Sequence, residues 1–297
     1  MGNKKLFLFF VVPAVAYLFI LNLFPLLWAL GLSFFRYNLL TERVPTFVGL
    51  GNYGTILLDP AVWTRMQITG KFILISIPLQ FTLGILIAFL LYKELYGRRL
   101  LLTLFLIPML IAPVASALFF RYLLDANFGL VNWLLSEFFN TKIYWLGLGK
   151  VPGLGVEYAL LTVALVETWI WTPFITLLVT AGLSTIPQSV IEQANIDDIS
   201  FIDRVRYIVF PYIKPILGLA LILRVMDSFK TFDTIYVLTA GGPGISTEII
   251  TFYIYKLAFQ GWDFGSASAL SFGVLVIILY FTTIFLNYFI FRGGEEQ

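Results

Sequence analysis

The chain has 297 residues, of which 60% are hydrophobic and only 12% charged, and its formal net charge is +2. A mean hydropathy of +0.92 indicates more apolar surface than a soluble core can bury, so lipid is expected as the main solvent and nucleic acid is not expected as a partner. Because Cys and His are absent, disulfides, thiol nucleophiles, imidazole catalysis and the usual zinc, haem and iron–sulfur ligand sets are excluded.

Six apolar intervals are long enough to cross a bilayer, for which a helix needs roughly 20 residues. The first follows two lysines and exceeds the length of a signal-peptide core, so it is interpreted as a retained first span. No internal repeat is visible, and the predicted fold class is all-α, a polytopic membrane protein with a single transmembrane domain over residues 1–297. The spans are expected at residues 7–32, 70–92, 100–124, 158–181, 212–234 and 267–291.

The distribution of Lys and Arg predicts the orientation in the membrane. Six spans place both termini on one side, where the connecting segments contain nine basic residues, against six in the longer segments opposite. The positive-inside rule therefore predicts that both termini and the loop 184–214 of this multi-pass cell-membrane protein are cytoplasmic. The nine basic residues on the predicted cytoplasmic side are Lys4, Lys5, Lys93, Arg98, Arg99, Arg204, Arg206, Lys214 and Arg292. The six on the opposite side are Arg36, Arg43, Arg65, Lys142, Lys150 and Lys256.

Two prolines, Pro108 and Pro113, interrupt the third predicted span. Each removes a backbone donor, and its ring clashes with the preceding turn, so the helix is expected to bend. Bent helices often border a cavity, but proline is also frequent in packed membrane helices, and the sequence leaves both interpretations open.

The fourth predicted span contains one ionisable residue, Glu167, followed by Trp169, Trp171 and Phe174. Alternating aromatic side chains near a proline agree with ordinary packing. Aromatic faces also bind the apolar faces of sugar rings, so a cavity wall is the second interpretation.

The fifth predicted span is unusually polar. Only eight apolar residues follow Pro215 before Arg224, and Asp227, Lys230 and Asp233 then follow at intervals of three. Side chains three apart share a helix face, so neighbouring charges can neutralise one another within the bilayer. The group is interpreted either as a structural ion-pair network or as a contact for a solute.

Several chemistries have no residues to support them. No loop of the form G-x-x-x-x-G-K-[ST] occurs, so the chain is not expected to bind ATP. Asp197 and Asp198 are adjacent in a polar loop without a histidine, and acid–base catalysis there is not expected. The few membrane carboxylates weaken, without excluding, an ion-coupled secondary transporter of a small polar solute, and a membrane-embedded enzyme using Asp227 or Glu167 is a third class.

The longest polar interval between spans is Ile186–Pro215. A short helix is expected over about 188–198, capped by Ser184 or Thr185 and begun by Pro187. The spacing of Ser200 and Asp203 predicts a second capped helix that ends near Phe210, with Pro211 and Pro215 marking re-entry into the membrane. From these patterns alone the interval is either a docking surface or an ordinary amphipathic loop.

The same interval resembles the EAA motif of membrane subunits of bacterial-type ABC importers, which forms the coupling helix that docks on a nucleotide-binding subunit. Two positions depart from that pattern: Gln193 stands for Ala, and Asp198 stands for a Gly that usually adopts a left-handed turn. Asp tolerates that conformation better than most residues. Segments 169–187, 228–243 and 265–279 extend the resemblance to the carbohydrate branch, of the maltose and glycerol-3-phosphate type. The matching motif positions are Glu192, Gln193, Ala194, Asp197, Asp198 and Pro211.

This resemblance implies a type I importer permease fold and a non-catalytic permease subunit of an ATP-driven, binding-protein-dependent importer for a sugar or sugar derivative. The implied partners are a second homologous permease, two ABC ATPases that bind ATP and Mg, an extracytoplasmic solute-binding protein, a sugar-like substrate and the lipid bilayer, with no cofactor in this chain. The resemblance also implies six positions that line the solute pathway: Trp171, Phe174, Arg224, Asp227, Ser228 and Thr231. Two of them, Arg224 and Asp227, carry charges where the family has more neutral polar residues.

Overall fold

The computed structural model describes residues 2–42, 44–92, 96–153 and 155–287, with side chains described from residue 7 onward. This part of the chain is mainly helical, with one two-stranded antiparallel hairpin, β1 (Phe35–Arg36) and β2 (Thr46–Phe47). Its α-helices are α1 (Gly2–Leu18), α2 (Phe24–Ser33), α3 (Gly51–Leu58), α4 (Pro60–Tyr92), α5 (Arg98–Leu110), α6 (Pro113–Leu123), α7 (Leu130–Phe139), α8 (Tyr158–Leu183), α9 (Gln188–Ile196), α10 (Phe201–Asp203), α11 (Phe210–Ser228), α12 (Asp233–Leu238), α13 (Ile250–Tyr255) and α14 (Phe264–Leu286). Short π-helical segments occupy Phe19–Leu23, Arg204–Val209 and Lys256–Gln260.

Five helical stretches are long and apolar enough to cross a membrane, and a bent pair raises the number to six. The second stretch begins ten residues before the predicted 70 because Pro60 fits the first turn of α4 and the Asp59 carboxylate accepts the Ala61 amide at 2.8 Å. Residues 288–291 of the sixth predicted span lie outside the described residues. The unbent stretches are Phe7–Ser33, Pro60–Tyr92, Tyr158–Leu183, Phe201–Ser228 and Phe264–Leu286.

The third predicted span is bent, as its prolines predict. Helices α5 and α6 meet at an angle of 94°, and the break lies at Ile111 and Ala112. Both residues have extended backbone, with ψ of 136° and 135°. A proline disfavours helical backbone in the residue before it, so Pro113 accounts for the conformation of Ala112.

The fifth predicted span differs from expectation at both ends. The predicted second loop helix does not end near Phe210; α10, the π-helical segment and α11 form one stretch from Phe201 to Ser228. Pro211 follows the π-helical segment by two residues, and the helical stretch continues through it although proline offers no amide to the preceding turn. At the other end α11 stops at Ser228 rather than 234, and α12 begins separately at Asp233.

The chain divides into two compact units, residues 1–63 with 253–277 and residues 64–252 with 278–297. The predicted single domain stays a prediction. In the first unit, the buried Asn52 amide donates to the carbonyls of Ser33 and Phe35 at 2.9 and 2.8 Å and holds the chain at the end of α2. Both candidate functional regions lie in the second unit.

The second unit is centred on α8, whose buried residues contribute to two apolar clusters. One cluster joins Leu160 and Ile170 to Phe72 of α4, and the other joins Val179 and Leu183 to the 201–228 stretch. Three buried threonines of α8, Thr168, Thr172 and Thr176, each donate to the carbonyl one turn earlier, the Thr172–Thr168 distance being 2.6 Å. Their hydroxyls are therefore satisfied without a solvent contact.

Candidate coupling surface and transport pathway

Helix α9 lies where the coupling helix is predicted, but its start differs from the prediction. Pro187 occupies the N-cap position rather than the first turn, and no side chain caps the helix. The hydroxyls of Ser184 and Thr185 instead donate to the carbonyls of Ala181 and Gly182, at 2.6 and 2.7 Å. Both residues therefore finish α8 rather than start α9.

Helix α9 has one attached face and one free face. Val190 and Ile191 pack against the apolar cluster of α8 and the 201–228 stretch, and Ala194 is only 2% exposed. The attached face thus holds α9 against both neighbouring helical stretches. Of the predicted coupling residues, those with exposed side chains are Glu192, Gln193, Asp197, Asp198 and Pro211.

The turn after α9 adopts the conformation that the resemblance implies. Asp198 has φ of +49°, in the left-handed region, and the Ile199 amide donates to the Ala194 carbonyl at 3.2 Å. This is the six-residue closure of a Schellman motif, which usually requires glycine at the position of Asp198. The turn therefore forms with Asp in place of Gly.

A capped helix start follows directly, as the spacing of Ser200 and Asp203 predicts. The Ser200 hydroxyl accepts the Asp203 amide at 3.2 Å and donates to the Asp203 carboxylate at 2.6 Å. Arg204 then reaches back to the Ala194 carbonyl at 3.5 Å. These bonds fix the angle between α9 and the stretch that enters the membrane.

A buried polar cluster joins three helices farther along the same stretch. Arg224, 2% exposed, donates from Nε to Gln80 Oε1 at 2.9 Å and from Nη1 to Asp227 Oδ2 at 3.0 Å. Its Nη2 lies 3.9 Å from Glu167 Oε2. The guanidinium carbon also lies 4.1 Å from the ring centroid of Trp171, a cation–π contact. Arg224 therefore ties α4, α8 and α11 together.

Charge neutralisation by residues three apart is confirmed on this face. Asp227 pairs with Arg224 through one oxygen and with Lys230 through the other, the second distance being 3.1 Å. The Lys230 side chain is 67% exposed, so the Lys230–Asp227 pair lies at the surface. In the Arg224–Asp227 pair, by contrast, the guanidinium group is buried. Glu167 additionally accepts the Thr234 hydroxyl at 2.6 Å.

A cavity of about 160 Å³ opens beside this cluster. Of the predicted pathway positions, Trp171, Asp227 and Thr231 line it, whereas Arg224 and Ser228 are buried and do not. Phe174 is half-buried, packs in the apolar cluster and meets the Trp171 ring edge to face, with centroids 6.2 Å apart. The lining residues are Pro113, Glu167, Trp171, Asp227, Lys230, Thr231, Phe232, Asp233 and Thr234.

Sequence reasoning missed two participants in this region, Gln80 and Thr234, which bind the buried charges. Asp233, predicted as part of the charged group of the fifth span, lies in the cavity wall but belongs to α12 and not to a continuous fifth helix. An uncharged glutamine within an apolar span was the one visible sign of Gln80, since polar groups in lipid need partners. The described residues contain no group of three or more carboxylates placed to hold a metal ion.

Comparison with known proteins identifies relatives over almost the full chain. A trehalose/maltose transport system permease protein of Thermococcus litoralis is 34% identical over 98% of this chain and 95% of its own length. A trehalose transport system permease protein of Mycobacterium tuberculosis is 32% identical, covering 100% of this chain and 93% of the relative.

One solved structure confirms the predicted fold class of a type I importer permease. It is a crystal structure of a bacterial ABC transporter involved in the import of the acidic polysaccharide alginate. The match has a TM-score of 0.80 at 20% identity and covers 97% of this chain and 96% of that one. Residues 80–293, more than half of the chain, match the model of the binding-protein-dependent transport system inner membrane component. The chain therefore belongs to this family of inner-membrane transport subunits.

Proposed function

We propose that this chain is the permease subunit of an ATP-driven importer that receives a sugar or sugar derivative from an extracytoplasmic binding protein. Family membership supports the transport role, and the two relatives, which are permeases of trehalose/maltose and trehalose transport systems, support the solute class. In this role the chain carries solute without catalysing a reaction.

The proposal requires partners. A second, similar permease completes the passage for the solute, and two ABC ATPases supply the energy, because the sequence has no phosphate-binding loop of its own. ATP and Mg would then be bound only by the ATPases. Both termini and α9 would face the cytoplasm.

The observation that carries the proposal is the two-sided geometry of α9. Its free face presents Glu192 and Gln193, and its other face is held by Val190, Ile191 and Ala194 against α8 and the 201–228 stretch. When the ATP-bound ATPase dimer closes, movement of α9 passes to these helices as a rigid-body shift. The same helices carry Trp171 and Asp227 in the cavity wall.

Two substitutions test the coupling role. Ala194→Trp places a large ring where a buried methyl group lies and should lift α9 from its seat, whereas Glu192→Lys reverses the charge of the free face. We expect each to reduce ATP-driven uptake about tenfold or more, the effect of losing a docking hot spot. Glu137→Lys, an exposed carboxylate on α7, is the matched control and should leave uptake unchanged.

The measurement is uptake of radiolabelled trehalose and maltose by proteoliposomes that contain the complete importer and its binding protein, together with ATP hydrolysis. Uptake at the unsubstituted rate by Ala194→Trp contradicts the coupling role. Uptake that ignores ATP depletion but collapses with an ionophore would instead indicate an ion-coupled transporter. Product formation without translocation would indicate a membrane-embedded enzyme.

A further inference from the structure

The cavity beside α11 has an unequal set of charges in its wall. Three carboxylates, those of Glu167, Asp227 and Asp233, face one ammonium group, that of Lys230. Lys230 is already paired with Asp227 at 3.1 Å. The wall therefore holds no cation without a carboxylate beside it, within the described part of the chain.

The guanidinium groups of Arg224 and Arg121, on two helices of the same unit, also have partners. Arg224 is buried and bound by Gln80 and Asp227, and it does not line the cavity. Arg121 of α6 donates to the Val237 carbonyl at 2.9 Å and is likewise not a wall residue. Neither guanidinium is placed to receive an anion in this cavity.

Asp233 is the wall carboxylate whose charge is not balanced locally. Its side chain is exposed at the start of α12, and across the described ranges it has no ion-pair partner. Glu167 and Asp227 both face Arg224, so their charges are largely compensated. The net field in the cavity is therefore set by Asp233.

A negative electrostatic field in the cavity discriminates between solutes by their charge. Like charges at short range repel, and a cleft whose net charge has one sign concentrates the field. Sugar hydroxyls, in contrast, can donate to the carboxylates of Asp227 and Asp233 and accept from Thr231 or Lys230. One face of Trp171 is covered by Arg224, so polar contacts carry more of the recognition than ring stacking.

We propose that this cavity admits uncharged polyhydroxy solutes and rejects anionic sugars such as phosphorylated or carboxylated ones, with Asp233 as the specificity-determining residue. The proposal rests on the proposed import of a sugar and narrows the class of that sugar. The alginate importer with the same fold takes an acidic polysaccharide, so the fold leaves the charge of the solute open. The side chains of the wall decide it.

The test measures charge selection in the cavity without requiring transport. Because the chain has no Cys, Thr231→Cys introduces its single thiol at the cavity wall. The assembled importer is treated separately with cationic, neutral and anionic methanethiosulfonates, and labelling of this chain is followed over time. Each rate is divided by the rate of the same reagent with a free thiol in solution.

The cationic and neutral reagents should label the introduced thiol faster than the anionic one, the neutral reagent by about tenfold, because one uncompensated charge acts at short range. Adding Asp233→Asn should reduce the ratio of the neutral to the anionic labelling rate to about one. Glu137→Gln, which removes a carboxylate outside the cavity, should leave this ratio unchanged. If Asp233→Asn does not assemble, Lys230→Gln serves in its place and should increase the preference.

Labelling by the anionic reagent as fast as by the neutral one overturns the proposal, and so does a preference that survives Asp233→Asn or fails to rise in Lys230→Gln. Failure of the proposed import function has a different signature, since uptake would then be absent while the charge preference of the introduced thiol remained. The two hypotheses are therefore tested separately.

Discussion

The loop from α9 to α10 and the cluster around Arg224 are both polar, but they are built in opposite ways. In the loop, the bonds join residues at most ten positions apart, and most of the side chains are exposed. In the cluster, the bonds join residues 67 and 144 positions apart and are buried. One region is held by local geometry, and the other holds distant helices together.

The difference indicates what each region can tolerate. An exposed, locally bonded turn can lose one interaction at a small cost in free energy, because water satisfies the freed groups. A buried charge that loses its partner cannot be hydrated, and the destabilisation is several times larger. We therefore expect the loop to vary with its partner protein and the cluster to control the stability of the membrane helices.

The largest effect should follow from Arg224→Leu. The substitution leaves Gln80 and Asp227 without their shared donor and Glu167 without its ion-pair partner, and breaking a buried pair in this way costs about 3–5 kcal/mol. We expect a large fall in the thermal unfolding temperature of the assembled importer in detergent, or failure to assemble.

Lys230→Gln is the matched control for Arg224→Leu, because both side chains pair with Asp227. Lys230 is 67% exposed, so its loss should change the free energy of unfolding by less than about 1 kcal/mol. Equal destabilisation by the two variants would mean that burial does not distinguish the two pairs.

Local sequence was sufficient to predict much of this architecture. The presence of the long apolar helices, the bend at Pro113 and the capped start at Ser200 depend on residues close together in the sequence. The left-handed turn at Asp198 was implied by a local motif. Pairing of Asp227 with its neighbours followed from helical periodicity alone.

What sequence could not supply was the choice among distant partners. Nothing local indicates that Gln80 lies beside Arg224, or that Thr234 donates to Glu167. The end of α11 at Ser228 was missed for the same reason, since Asp233 continues the helical spacing of charges yet belongs to another helix. Such contacts depend on tertiary packing, which overrides local pattern.

A smaller effect is expected for Ser200→Ala in the loop. The Ser200 hydroxyl caps the Asp203 amide, and loss of such a cap costs about 1 kcal/mol. Amide hydrogen exchange in residues 201–206 should accelerate about fivefold, as that free energy implies, while exchange in α8 stays unchanged. Ser136→Ala on α7, which removes a hydroxyl bonded within its own helix, is the control. Acceleration that spreads into α8 would show that the loop is not energetically local.

The smallest effect, and one of opposite sign, should follow from Asp198→Gly. Asp198 lies at φ of +49°, where a Cβ is unfavourable, and glycine removes that strain while increasing the entropy of the unfolded chain. The two effects nearly cancel, so we expect a stabilisation of about 0.5 kcal/mol, read as slower exchange of the Ile199 amide that closes the turn on Ala194. Asp198→Val keeps a Cβ and adds a branch, and it should accelerate the same exchange. If Asp198→Gly accelerates the exchange as Asp198→Val does, the Asp198 carboxylate stabilises the turn in a way that backbone geometry does not explain. The loop would then depend on specific side-chain interactions, as the Arg224 cluster does.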